Sequence, residues 1–348
     1  MRKEVRLADI AERLNVSTVT VSNALANQKG VSDELREKIK QTAAEMGYQS
    51  RSAAGVTVRE ILNLGVIISE KYLGDYPSFY WKVYQELTIA AREKNCVLLF
   101  EMLTHEAERT KTLPLFAHNS KIEGILVIGE IGSAYLETLL EGTSLPQIYV
   151  DFMKKEFPVS CVMTNNFYGM YQIVSHLIEL GHRDIAYVGT VQANTSIMDR
   201  YFGYCKALME AGMAINPDWV LDDRTLEGKM MEIKLPKKMP TAFACNSDLT
   251  ASEVVKTLKN KGFRIPEDIS VTGFDNYLYE GLCDISITTY EVNIKEMVKT
   301  ALDLVLSQIQ PENGNPQEMA IISGRLVEKE SAGGADGLNI KNNSCERV

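Results

Sequence analysis

The first fifty residues carry apolar positions at helical spacing in three short runs. In LADIAERL, residues 7–14, Leu7, Ile10, Ala11 and Leu14 fall on one helical face. Asn15 follows, a residue that tolerates the left-handed backbone of a sharp turn, and Val16 is placed to plug the core beside it. Ser17 predicts the cap of a second short helix, STVTVSNAL, with Val21 and Leu25 turned inward. Ser32 predicts the cap of a third, whose first turn carries Asp33 and Glu34 in agreement with the helix dipole. Leu35, Ile39 and Met46 build its buried face, and Gly47 closes it.

Two short helices joined by a tight turn, with a third completing the core, describe a helix-turn-helix unit. A domain built only for packing would not favour β-branched Val19, Thr20 and Val21 in a short, Ser-capped helix. A helix that reads a DNA groove needs small side chains able to approach base edges, and this one has them.

From Ile61 onward the texture changes. LNLGVIIS, VLLFEML, GILVIG, QIYVD, CVMTN, IAYVG, TAFACN, SVTGFD and ISITTY read as near-continuous apolar strands. Amphipathic stretches such as FYWKVYQELTIAAREKN, YQIVSHLIELG, RYFGYCKALMEAG, DLTASEVVKTLKNKG and IKEMVKTALDLVLSQI read as helices between them. This alternation predicts parallel sheets covered on both faces. Its length exceeds one comfortable sheet, so two doubly wound lobes are expected. The predicted fold is therefore an all-α helix-turn-helix headpiece (residues 1–48), a polar linker (49–60) and an α/β core (61–330). The Gly- and Asn-rich tail, 331–348, is expected to be disordered.

Charge sharpens this division. The 348 residues sum to −9, which taken globally argues against a nucleic-acid binder. Residues 1–60, however, hold ten basic and eight acidic side chains, a net +2 on an otherwise acidic body. No apolar run approaches the ~20 residues of a membrane span, and the charged N-terminus lacks a signal-peptide core, so the expected compartment is the cytoplasm. In that reducing setting the six scattered cysteines read as small buried hydrophobes. The four histidines show no ligand spacing, and His176 and His182, at the end of an apolar helix, are expected to be structural. Neither metal nor cofactor is expected.

In open α/β sheets, ligands bind outside the carboxyl ends of strands. Asp151 ends QIYVD, Asn246 and Asp248 follow TAFAC, and Asp275 ends SVTGFD. Asn246 or Asp248 is equally suited to cap the helix that follows. Arg200 is read as opening a helix after GTVQANTSIMD, where an acid would be the usual choice. Together with the aromatic pair Phe79 and Tyr80, these groups suit a polyhydroxylated ligand, because hydroxyls need paired donors and acceptors and sugar C–H faces pack on rings. No G-x-S-x-G elbow, Walker loop or G-x-G-x-x-G follows a strand, so no catalytic arrangement emerges.

The segments VRLADIAERLNVSTVTVSNAL, VSDELREKIKQTAAEMGY, LIELGHRDIAYVG, GFRIPEDISVTGFDN and ITTYEVNIKEM, in this order, resemble the LacI/GalR family of transcriptional regulators over residues 5–330. The resemblance implies a core like the periplasmic sugar-binding proteins, with an N-lobe of 61–162 and 291–321 and a C-lobe of 163–290 and 322–330. Crossovers would lie near Val162–Asn165, Thr288–Tyr290 and Ile321–Ser323. It further implies a homodimer on operator DNA, most simply a repressor relieved by a sugar-like effector. Thr18, Val19 and Asn23 would face base edges, while Ser17, Thr20, Ser22 and Tyr48 would hold phosphates or pack. Phe79, Tyr80, Asp151, Arg200, Asn246, Asp248 and Asp275 would surround the effector.

Several positions depart from the family pattern. Asn23 replaces the usual Arg, Arg6 the usual Thr cap, and Asn15 the usual Gly. The hinge, Tyr48 to Thr57, lacks the family's Pro, Asn and Leu, leaving Val56 or Val58 as a smaller minor-groove wedge. Residues 221–232 (LDDRTLEGKMME) contain no aromatic, which favours a sugar over a stacked nucleobase.

Overall fold

The computed structural model describes residues 5–25, 30–46, 48, 61–74, 78–118, 121–309 and 317–335. The chain divides into two compact units at residue 60.

In the first unit, α1 (Leu7–Leu14), α2 (Thr18–Leu25) and α3 (Asp33–Glu45) enclose a core of Ile10, Ala11, Val21, Ala24, Ile39 and Ala43. Val16 and Tyr48 pack against it. Asn15 adopts the left-handed conformation (φ 50°, ψ 47°) that turns the chain between α1 and α2. Although Arg6 offers no capping oxygen, its N–H donates to Asp9 Oδ2 at 2.6 Å, so the third helical residue ties down the start of α1. The N–H of Thr20 donates to Ser17 Oγ at 3.0 Å, fixing the start of α2. Ser32 stands at the cap position of α3, but its side chain makes no capping bond. Gly47 lies outside the described residues.

The second unit runs β1 (Leu62–Ser69), α4 (Phe79–Glu93), β2 (Cys96–Leu103), α5 (His105–Thr110), β3 (Gly124–Ile128), α6 (Ser133–Gly142), β4 (Gln147–Val150) and β5 (Ser160–Thr164). It continues with α7 (Asn166–Glu179), β6 (Ile185–Val188), α8 (Thr195–Glu210), β7 (Val220–Leu221), β8 (Ala242–Cys245), α9 (Asp248–Asn260), β9 (Ser270–Asp275) and β10 (Thr288–Glu291). The last elements are α10 (Ile294–Ile309), β11 (Met319–Ile322) and β12 (Arg325–Val327).

The strands form two six-stranded sheets, ordered β11-β5-β4-β3-β1-β2 in the N-lobe and β12-β10-β9-β8-β6-β7 in the C-lobe. All neighbours pair in parallel except β12 with β10. This is the two-lobed, doubly wound core that the strand–helix alternation predicts. The chain crosses between lobes at Thr164–Asn166, Glu291–Ile294 and Ile322–Arg325. The second crossover thus lies just beyond Thr288–Tyr290, which is itself part of a C-lobe strand.

The expected disordered tail also begins too early. Ser331 is fully buried, accepts a hydrogen bond from Thr288 N at 2.8 Å and donates to Val271 O at 2.5 Å. Gly333 O and Ser270 Oγ lie 3.0 and 3.1 Å from His182 Nε2, and Thr241 Oγ1 lies 2.8 Å from its Nδ1. His182 is thereby a buried structural pin for residues 331–335, and burial holds its pKa below the ordinary value. Residues 336–348 lie outside the described ones.

Candidate functional site

Ser17, which caps α2, and Thr18, Val19 and Ser22 on it are exposed, and Thr20 and Asn23 half-exposed. Val19 is 65% exposed although apolar, which no packing role within this unit explains. Ser17 Oγ and Thr20 Oγ1 lie 2.8 Å apart, so these two hydroxyls are engaged with each other at the helix start. Thr18, Val19, Ser22 and Asn23 remain as the outward-facing set. Tyr48 packs on the three-helix core, and Val56 lies outside the described residues.

The second cluster lies at the carboxyl ends of strands from both lobes. Asp151 directly follows β4 and Asp275 ends β9, with φ of 66° and 102° respectively. Left-handed backbone at non-glycine residues costs about 1–3 kcal/mol each and gathers at functional sites. Tyr80 OH donates to Asp151 Oδ2 at 3.1 Å, and its ring meets Phe79 edge-on at 5.4 Å. Arg200 Nη2 lies 3.2 Å from Asp275 Oδ1, its Nε donates to Asn166 Oδ1 at 2.8 Å, and Nη1 donates to the Asn246 carbonyl. The guanidinium also lies 3.8 Å from the centre of the Phe274 ring.

Both carboxylates are therefore coupled to one buried cation. Burial pushes the Asp275 carboxyl up to about 7; Arg200 opposes the rise and the charge on Asp151 adds to it. Burial likewise raises Asp151 against the pull of Arg200 and Tyr80. Asp151 Oδ1 and Asn166 Nδ2 are buried without a hydrogen-bond partner, one acceptor and one donor where the lobes meet.

Three expectations need correction. Arg200 does not open its helix: α8 begins at Thr195, and Asn194 caps it by accepting from Ile197 N at 2.8 Å. The cap of α9 is neither Asn246 nor Asp248 but Ser247, whose Oγ accepts from Thr250 N at 3.1 Å. Asp248 is buried against Gly273 of β9, its Oδ2 accepts from Tyr277 N at 2.9 Å, and its Oδ1 has no hydrogen-bond partner among the described residues.

Sequence reasoning also missed participants. Tyr72 packs on Tyr80 at 4.4 Å and donates to Glu130 O at 2.8 Å. Glu130 spans the lobes: Oε1 accepts from Lys154 Nζ at 2.6 Å, and Oε2 from Thr195 N and Oγ1, each at 3.0 Å. These bonds outweigh the effect of burial and hold the Glu130 carboxyl below its ordinary pKa. Asp223 is fully buried against Arg224 and Asn246. Only the general rule that strand ends carry ligands pointed toward these positions.

The profile "Bacterial regulatory proteins, lacI family" matches residues 6–50, and a periplasmic binding protein-like domain matches residues 174–332. The chain belongs to the LacI family of bacterial regulatory proteins. Among LacI-family relatives, the HTH-type transcriptional repressor PurR of Glaesserella parasuis is 28% identical over 321 residues, covering 90% of this chain and 92% of that protein. The transcriptional regulator CelR in complex with cellobiose has a similar fold (TM-score 0.66, 23% identity, covering 94% of this chain and 100% of that one). So has the lac repressor dimer bound to operator and the anti-inducer ONPF (TM-score 0.64, 21% identity, 95% and 100% covered). LacI-family membership makes the chain a DNA-binding regulator rather than an enzyme. No described helix is long and apolar enough to cross a membrane.

Proposed function

We propose that this LacI-family regulator is a cytoplasmic, homodimeric repressor that binds operator DNA through α2 and releases it when a neutral sugar occupies the interlobe cleft. The observation that carries the sugar reading is the Asp151–Arg200–Asp275 constellation, in which strand-end acids of both lobes meet Arg200 of α8. Free Asp151 Oδ1 and Asn166 Nδ2 add an acceptor and a donor, the pair that a hydroxyl satisfies. Tyr80 and Phe79 supply the ring surface on which sugar C–H groups pack.

Charge argues against an anionic effector. Arg200, Arg224 and Lys154 already face Asp275, Asp223 and Glu130, so a phosphate would enter against Asp151 and Asp275 with its cations taken. A nucleobase fares no better, because residues 221–232 bring no second ring. CelR, alike in fold, is bound to cellobiose, and the lac repressor is operator-bound as a dimer; both fit this reading.

At the operator, Thr18, Val19 and Asn23 face base edges, and Ser17, Thr20, Ser22 and Tyr48 hold phosphates or pack. Val56 is the candidate minor-groove wedge. Sugar binding favours the closed lobes and shifts operator affinity by a coupling of about 1–3 kcal/mol. A thermal-shift screen of neutral sugars, sugar phosphates and nucleobases tests the effector class. A ligand at 100 times its Kd stabilises the fold by about 2.7 kcal/mol. A neutral-sugar hit abolished by Asp275→Ala supports the reading, and a hit confined to phosphates or bases overturns it.

A further inference from the structure

Asn246 lies at the carboxyl end of β8, where an amide would be expected to reach an effector, yet its side chain is already in use. Nδ2 donates to Asp223 Oδ2 at 2.7 Å and to Val188 O at 3.0 Å, while Oδ1 accepts from Arg224 Nη2 at 3.3 Å. Both amide N–H groups are spent within the protein. Gly189 leaves room for this inward packing, since a side chain there would press on the Asn246 amide at 2.9 Å.

Arg224 is placed differently. Its Nε and Nη2 lie 3.0 and 2.6 Å from Asp223 Oδ2, a fork that fixes the guanidinium plane. Asp223 is itself anchored by Thr190 N at 3.0 Å and Thr250 Oγ1 at 2.6 Å, and Thr190 Oγ1 holds the Arg224 carbonyl at 2.6 Å. Burial works to raise the Asp223 carboxyl, but its bonds to Arg224, Thr250 and Thr190 prevail and hold it at about 2. Nη1 alone among the guanidinium nitrogens has no hydrogen bond to a described residue, and the side chain keeps 18% of its surface exposed. Arg224 follows the carboxyl end of β7, and its Nη2 reaches Asn246 Oδ1 just past the end of β8, so the guanidinium stands among the C-lobe strand ends that wall the cleft.

We propose that Arg224, rather than Asn246, is the specificity-determining hydrogen-bond donor on this wall of the cleft. It presents Nη1 to a sugar hydroxyl, while Asp223 and Asn246 are positioning residues that hold it rigid. The assignment rests on the neutral-sugar reading above and deepens it. In place of a stacking ring, this wall offers a fixed donor. A hydroxyl can accept from Arg224 and donate to a carboxylate such as Asp151, which an aromatic or purely apolar ligand cannot do.

The test is isothermal titration of the full-length protein with D-glucose, D-ribose, D-xylose and cellobiose, followed by monodeoxy analogues of whichever binds. Arg224→Ala is expected to weaken binding tenfold or more, with Arg224→Lys in between, since it keeps the charge but loses the fork. One monodeoxy analogue should bind the wild type at least tenfold more weakly yet lose little further affinity in Arg224→Ala. If Arg224→Ala does not fold, the double variant D223A/R224A, which leaves no buried charge unpartnered, replaces it. Binding that survives loss of Arg224 but disappears in Asp275→Ala overturns this assignment alone. Failure of all four sugars to bind the wild type overturns the assignment together with the sugar reading for which they are the probes.

Discussion

Arg200 and Asp275 face each other across 3.2 Å with both side chains almost wholly buried, and a second carboxylate, Asp151, shares the same guanidinium. Two buried acids share this guanidinium, and burial outweighs its pull, so Asp275 is pushed up to about 7. A neutral polyol, the proposed effector, can both donate to and accept from such a pair.

That imbalance has a signature in stability. The folded Asp275 carboxyl titrates near 7 against an ordinary 3.8, with burial as the main cause. Between those values the folded chain keeps a proton that the unfolded chain has released, so stability falls as pH rises from about 4 to about 7. Asp275→Asn removes this slope. Urea denaturation of both proteins at pH 4.5 and 7.5 should show the wild type losing more stability than the variant, by on the order of a few kcal/mol. His182, whose lowered pKa acts in the opposite direction, is common to both and cancels in the comparison. Parallel pH profiles would remove the coupled-carboxylate account.

Glu130 joins the lobes through Thr195 while also holding Lys154. Charge-assisted bonds of this kind contribute about 1.5–3 kcal/mol each. Glu130→Ala should therefore weaken the closed form, lowering sugar affinity roughly tenfold and raising the radius of gyration of the sugar-saturated core in small-angle scattering. Unchanged affinity and dimensions would mean that closure does not depend on this bridge.

On the DNA side, Asn23 is half-exposed on α2, where family members usually carry Arg. A side-chain amide pairs best with adenine and a guanidinium with guanine, each discriminating by about 1–3 kcal/mol. Selection from randomised DNA should return A·T at that contact for the wild type and G·C for Asn23→Arg. One consensus for both proteins would take Asn23 out of the base-reading set.

Much of this molecule can be read from its sequence, because its elements are locally consistent. LNLGVIIS and SVTGFD are strands over the lengths their apolar runs predict, and the Asn15 turn is where its residue type places it. The misreadings have separate physical sources. The run RYFGYCKALMEAG suggests a helix start at Arg200, whereas α8 begins at Thr195 behind the cap Asn194, with Ile197 already buried in its first turn. Ser331 to Ala335 look disordered by composition, but their order comes from His182, Val271 and Thr288, which are distant in sequence. The pairing of Asn246 with Asp223 and Arg224 joins the ends of two strands and leaves no local pattern. Sequence reading found the strand ends, but which side chains there are free and which are spent is decided by tertiary contacts.

The most direct test of the central claim is an operator-binding titration by fluorescence anisotropy, using DNA selected by the full-length protein, with and without cellobiose or the neutral sugar that stabilises it most. The account predicts salt-dependent binding at least about a thousandfold tighter than to random DNA. It also predicts a shift of about fivefold or more on adding the sugar, lost in Asp275→Ala. Operator binding without sequence preference, or a sugar response that persists in Asp275→Ala, would contradict it.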